Sequence, residues 1–205
     1  MPSRNIEKIF LPDTYYHVYN RGVNKRRIFL DEQDYAVFLN LFKRYLSKMP
    51  VKDLKGREYP WLHNDMQLLS FCLMPNHFHL LVFQVKETAI KKLLHGVCTA
   101  YTRYFNEKYQ RVGPLFQSRY KASMITSDAY LQHISRYIHL NPRDYLAWPY
   151  SSLPYYLGSK DADWVNPAKI TGLFGTPQRY LDFLADEKDY LASLAQVESE
   201  LADTP

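Results

Sequence analysis

The amino-acid sequence predicts an α+β fold, and three observations predict it. Strand-like segments rich in β-branched and aromatic residues interleave with helical segments between residues 1 and 145. Apolar residues recur at helical spacing in two stretches, Tyr35, Phe38, Leu39, Phe42 and Leu46, then Ile90, Leu93, Leu94, Val97, Tyr101, Tyr104 and Phe105. Two apolar runs of strand length, QLLSFCL at 67–73 and HFHLLVF at 77–83, are joined by Met74, Pro75 and Asn76, the residue types of a tight hairpin. With 205 residues, 46% hydrophobic and 16% aromatic, the chain has enough apolar surface for a packed core.

The first strand falls at 15–20, YYHVYN, and closes at the turn-like Asn20-Arg21-Gly22. Asp31 caps the first helix, which runs to Leu46. Residues 50–64, polar and containing Pro and Gly, form a connection. The strands at 67–73 and 77–83 are apolar on both faces, so both are expected to be buried on both sides. The second helix covers 87–107 and gives way to Gly113-Pro114. RYKASMI at 119–125 reads as a further strand, and Ser127 or Asp128 caps a third helix that stops at Leu140, because Asn141-Pro142 does not easily continue one. After Trp148-Pro149 come a wrapping segment, SSLPYYLG, and an acidic tail with one helix expected near 177–195. No internal repeat or low-complexity tract is visible.

Several function classes lose their signatures. The glycines include no G-x-G-x-x-G and no G-K-[ST], which removes the dinucleotide and P-loop fingerprints. Cys72 and Cys98 stand apart without a C-x-x-C, so neither a disulfide framework nor a cysteine zinc site is expected, and a reducing, cytoplasmic setting fits. Residues 1–12, MPSRNIEKIFLP, lack the apolar core of a signal peptide, and no apolar run approaches the ~20 residues of a membrane span, so a soluble, unexported protein is expected.

Charge is divided unevenly. Residues 1–160 hold 23 Lys+Arg against 12 Asp+Glu, a net +11, whereas residues 161–205 hold 3 against 9, a net −6. A basic body rich in Tyr and Phe has what a nucleic-acid surface needs, cations for phosphates and flat rings for unstacked bases. Many basic globular proteins share that composition without binding nucleic acid. The acidic tail reads either as a solvated helix that aids solubility or as a segment near the basic face that competes with phosphates.

One constellation carries chemistry. Residues two apart on a strand point to one face, so His77 and His79 of NHFH project together. They are either a pair of metal ligands or two histidines satisfied by hydrogen bonds within the sheet. On the third helix Tyr130, Ile134, Tyr137 and Asn141 share one stripe, with Tyr137 and Asn141 one turn apart. A phenol that attacks phosphorus beside an amide oxygen that holds a cation is one reading; a core-facing tyrosine followed by a helix-stopping Asn is the other. Tyr130 has Ile134 at +4 and brings no ligand, and Tyr120 lies in a strand between Arg119 and Lys121. His17 reads as a core histidine or as one that approaches the site from the first strand, and His139 has no assigned role. Tyr101, Tyr104 and Phe105, at helical spacing, read as core rather than as a stacking platform for bases.

MPNHFHLLV at 74–82, GPLFQSRYKA at 113–122 and YLQHISRYIHLNP at 130–142 resemble the signature blocks of the single-tyrosine HUH transposases, most closely the REP-associated tyrosine transposases of bacteria. The resemblance runs from YYHVYNRG at 15–22 to WPYSSLPYYLG at 148–158. It implies the HUH endonuclease fold, a ferredoxin-like antiparallel sheet with helices packed on it, over residues 1–147, and a C-terminal extension with the acidic tail over 148–205. It also implies that His77, His79 and Asn141 bind Mg²⁺ or Mn²⁺, and that Tyr137 attacks single-stranded or hairpin DNA to leave a 5′-phosphotyrosine. Nitrogen ligands favour Mn²⁺ in affinity, while Mg²⁺ leads in availability. The expected protein is cytoplasmic, on the nucleoid when DNA-bound, and works as a monomer or homodimer. Arg119 and Lys121 on one strand face, with Arg103, Arg111, Arg136 and Arg143, are the candidates for following the phosphate backbone. The alternative function is a hairpin DNA-binding protein that has lost catalysis.

Overall fold

The computed structural model describes residues 10–200, and its element order is strand, helix, two strands, helix, strand, followed by five further helices. The strands are β1 (Thr14–Arg21), β2 (Met66–Met74), β3 (His77–Gln84) and β4 (Lys121–Ile125), in the order β2-β3-β1-β4 with every pairing antiparallel. Helices α1 (Glu32–Leu46) and α2 (Ala89–Lys108) connect them in the split βαβ arrangement of a ferredoxin-like fold. This is the α+β architecture that the alternating pattern predicts.

Local chemistry explains the boundaries. The Asp31 side chain accepts from the Asp34 backbone N–H at 3.1 Å and the Asp34 carboxylate reaches back, a capping box that starts α1. Ser127 begins α3 (Asp128–His139) by accepting from the Tyr130 N–H at 3.3 Å, so of the two expected caps it is the serine that acts. At Gly96 a Cβ would collide with the Tyr45 hydroxyl, and its absence lets α2 approach α1.

The sheet separates two cores. Val18, Leu68, Phe71, Phe78, Leu80 and Val82 face α1 and α2, while Leu69, Cys72, Leu81 and Ile125 face α3 and the C-terminal segment. Both faces of β2 and β3 are therefore buried over most of their length, as their unbroken apolar runs predict.

The acidic tail differs from its expectation. It forms two helices, α6 (Pro177–Ala185) and α7 (Glu187–Glu200), rather than one. The break is at Asp186, whose backbone leaves the helical region at φ −74°, ψ 86° and whose carboxylate accepts from the Asp189 N–H at 3.0 Å to start α7. Nor is the tail simply a solvated appendage, since Tyr180 and Leu184 are buried against α3 and Asp189 pairs with Arg136 at 2.7 Å. Two four-residue helices, α4 (Leu153–Tyr156) and α5 (Ala168–Thr171), form the wrapping segment that leads to it.

Candidate active site at the open end of the sheet

Strand register builds the site. Arg21 of β1 lies opposite His77 of β3, Tyr19 lies opposite both His79 and Lys121, and His17 lies opposite Leu81 and Ser123. Residues directly across an antiparallel pair share a face, so His17, Tyr19, Arg21, His77, His79 and Lys121 all belong to the face covered by α3. The chain leaves α3 at His139, and Asn141 sits just beyond the helix end rather than within it. Its Oδ1 lies 3.0 Å from His77 Nε2. The Tyr137 ring stands edge-on to His79, with centroids 5.3 Å apart and planes at 86°, and edge-on to His17 at 6.0 Å. Thus His77, His79, Asn141 and Tyr137 are brought together from one strand and one helix end of a single chain.

Each histidine is oriented from behind. The Asn76 Oδ1 accepts from His77 Nδ1 at 2.7 Å, and His79 Nδ1 meets His17 Nε2 at 2.9 Å. In both rings the nitrogen engaged from behind is Nδ1, an arrangement common to metal-binding imidazoles, while His77 Nε2 lies against Asn141 Oδ1. Burial holds both pKa values below the ordinary histidine range, most strongly for His79, where the neighbouring His17 and His77 rings add to it. For His77 the contact with Asn141 opposes burial, and the nearby Arg21 guanidinium adds to it. Neutral rings with lone pairs on Nε2 are the form a cation needs.

The donor set fits a divalent metal. A neutral His77 that donates from Nδ1 turns a lone pair toward the Asn141 carbonyl oxygen, two acceptors facing one another with no proton between them. The 3.0 Å between them is also the separation of adjacent donors around an octahedral cation with bonds of about 2.1 Å, whose edge is about 3.0 Å. Among the described residues no group of three His, Cys, Asp or Glu side chains forms a metal cage. Two imidazoles and an amide make a neutral set, which leaves the full charge of the cation for a phosphate.

The six basic residues expected to follow DNA divide by location. Lys121 is on the site face of β4, Arg119 is exposed just before it, and Arg143 is exposed just past Asn141. Arg111 is half-buried beyond the end of α2, donating to Asn106 Oδ1 at 2.8 Å and lying over the Phe105 ring. Arg103 is exposed on α2, which covers the opposite face of the sheet, so the fold does not bring it to the histidines.

Arg136 is a correction. It is fully buried, paired with Asp189 at 2.7 Å, hydrogen-bonded to Phe183 O and Ser193 Oγ, and stacked on the Phe183 ring at 4.0 Å. One residue along a helix is a turn of about 100°, which carries Arg136 away from Tyr137 and into the C-terminal segment. His139, with no expected role, is buried on the same side, bonded to Tyr180 Oη at 2.6 Å and Ser152 Oγ at 2.7 Å. Sequence reasoning missed Arg21, although period-2 alternation from His17 and Tyr19 reaches it. Of the two readings of His17, a core residue or one that approaches the site from the first strand, the ring satisfies both, being buried and bonded to His79.

Residues 60–141 match the family model described as transposase IS200 like. The match spans 82 of the 205 residues. It contains His77, His79, Tyr137 and Asn141 and ends on the last of them. The fold is similar to that of a REP-associated tyrosine transposase solved bound to a REP hairpin, at a TM-score of 0.52 and 12% identity, covering 79% of this chain and 91% of that one. A protein from Deinococcus radiodurans R1, described as a transposase, aligns at a TM-score of 0.39 and 14% identity over 64% of this chain and 92% of that one. No curated protein matches the chain by sequence. Among the described residues no helix is long and apolar enough to cross a membrane.

Proposed function

We propose that the protein is a metal-dependent single-strand DNA endonuclease and strand transferase with Tyr137 as its nucleophile. The observation that supports this most is the convergence of His77 Nε2 and Asn141 Oδ1 at 3.0 Å beside a His79 ring that stands edge-on to Tyr137. In this reading the Tyr137 phenolic oxygen attacks phosphorus of a phosphodiester. The bond from phosphorus to the 3′-oxygen breaks, the phenolic proton is lost, and the departing 3′-oxygen takes up a proton as a free hydroxyl. A 5′-phosphotyrosine remains, and attack by a DNA 3′-hydroxyl on it rejoins the strand without ATP.

A divalent cation, Mg²⁺ or Mn²⁺, held by His77, His79 and Asn141 supplies polarisation of the phosphodiester and offsets the charge that develops in transfer. Arg21, Lys121, Arg119 and Arg143 lie around the site and serve the phosphate backbone. Arg21 is the best placed, opposite His77 with its Nε donating to Gln117 Oε1 at 3.2 Å, which leaves its terminal nitrogens for a phosphate oxygen. The likeness in fold to a transposase solved with a hairpin makes hairpin-flanked single strands the substrate to try first. Because the four site residues come from one chain, a single copy holds a complete site.

The experiment is incubation with labelled hairpin-flanked single-stranded DNA and Mn²⁺, followed by denaturing electrophoresis. A covalent protein–DNA band that disappears with chelator supports the proposal. Tight hairpin binding with no covalent band under any metal instead assigns the chain to non-catalytic DNA binding.

A further inference from the structure

His17 carries an unexplained cost. Its side chain is fully buried, and its Nδ1 has no hydrogen-bond partner. A buried polar atom left unpaired is destabilising, and a phenylalanine would fill a similar volume without that penalty. What the imidazole gains lies at its other nitrogen, where Nε2 meets His79 Nδ1 at 2.9 Å. The rings of His17 and His79 meet edge to edge, centroids 5.0 Å apart and planes within 21°, and the Tyr19 ring lies near-parallel to both at 5.2 and 5.6 Å.

We propose that His17 is a positioning residue that fixes the ring plane and tautomer of His79, so that His79 presents an unprotonated Nε2 to the divalent cation. This rests on the metal reading proposed above. A neutral imidazole has one ring proton, so when His17 Nε2 accepts from His79 Nδ1–H, the lone pair of His79 must be on Nε2. His77 is set in the same way by a different acceptor, the Asn76 amide oxygen. The usual partner behind a metal-binding imidazole is a carboxylate or carbonyl. An imidazole does the same task here without bringing a negative charge into a buried position, and its nearly coplanar, edge-to-edge contact restrains the His79 ring plane. The proton placed on His17 Nδ1 by this arrangement is the unpaired one, and the orphaned atom is thereby explained.

The test compares the full-length wild-type protein with His17→Phe, His17→Gln and His79→Ala, reading Mn²⁺ affinity by electron paramagnetic resonance titration and folding by thermal unfolding. His17→Phe keeps the ring volume and loses the acceptor, so Mn²⁺ binding is expected to weaken by about 10–100-fold. His17→Gln offers an amide oxygen to His79 Nδ1–H and is expected to recover most of that loss. Long-range nitrogen–proton NMR on the wild type with Mg²⁺ is expected to find His79 protonated at Nδ1, a readout that needs no variant to fold. The proposal is overturned if His17→Phe binds Mn²⁺ as the wild type does while His79→Ala does not, if folded His17→Gln is no better than His17→Phe, or if His79 carries its proton on Nε2. Absence of Mn²⁺ binding by the wild type, unchanged in His79→Ala, overturns the metal reading itself and the role of His17 with it.

Discussion

Arg136 and Asp189 are joined at 2.7 Å across the seam between the helix that carries Tyr137 and the last helix of the chain, with the guanidinium fully enclosed and the carboxylate about half exposed. The residue next to the proposed nucleophile is therefore an anchor for the C-terminal extension. Asp189→Ala leaves a buried cation with its remaining acceptors, His133 Nδ1, Phe183 O, Asp186 O and Ser193 Oγ. The half-exposed carboxylate and those acceptors moderate the loss, and urea unfolding is expected to show destabilisation of about 1–3 kcal/mol. A change within experimental error would mean that the extension is not held by this pair.

The same packing governs what truncation does. Removing residues after Gly158 strips Tyr180, Phe183 and Leu184 from α3 and exposes the apolar side of the helix that bears Tyr137. The shortened chain is expected to unfold at a lower temperature and to bind an apolar dye. If it instead keeps its melting temperature and binds random single strands more tightly at low salt, the acidic tail acts as an electrostatic gate.

Arg21 and Arg103 make a matched pair of tests, because the first lies beside His77 and the second lies across the sheet. Arg21→Ala is expected to weaken single-strand binding severalfold and to reduce the slope of log affinity against log salt by about 1. Arg103→Ala is expected to change neither. Fluorescence anisotropy across a salt series measures both, and a larger effect from Arg103 would place the DNA path on the α2 side.

Stability should depend on pH through the buried histidines. Burial pushes His17 and His139 down to about 3 in the folded protein, against about 6.5 in an unfolded chain. Below about 6.5 the unfolded state binds protons that the folded state refuses, so the stability present at neutral pH is lost progressively as pH falls toward 3. Each such histidine contributes a slope of about 1.4 kcal/mol per pH unit within that window. Between pH 6 and 5, above the carboxylate range, urea unfolding of His139→Gln is expected to show a slope shallower by about one proton than the wild type. An identical slope would mean that His139 is protonated in the fold.

Much of this architecture is legible in the residues. Alternation placed His77 and His79 together, and the four-residue spacing placed Tyr137 near Asn141, because strand and helix periods are local properties of the backbone. At Arg136 a charged residue beside a nucleophile suggests phosphate, and only the packing of α7 shows where the guanidinium goes. His17 was half read: an apolar strand announces burial, but the 2.9 Å contact to His79 depends on the register of β1 against β3 and on both side-chain torsions, which no single segment specifies. The split of the tail at Asp186 was missed because a capping aspartate inside an acidic helical pattern looks like one more surface charge.

Replacing Tyr137 by Phe removes only the phenolic oxygen, so binding of hairpin DNA is expected to stay within about twofold while cleavage is lost. The most direct measurement goes one step further and finds the atom. After reaction with single-stranded DNA and Mn²⁺, nuclease trimming and proteolysis, mass spectrometry of the nucleotide-bearing peptide is expected to place a 5′-phosphodiester on Tyr137 and on no other tyrosine. A link to Tyr120 or Tyr130, or cleavage by the Tyr137→Phe protein, would contradict the account.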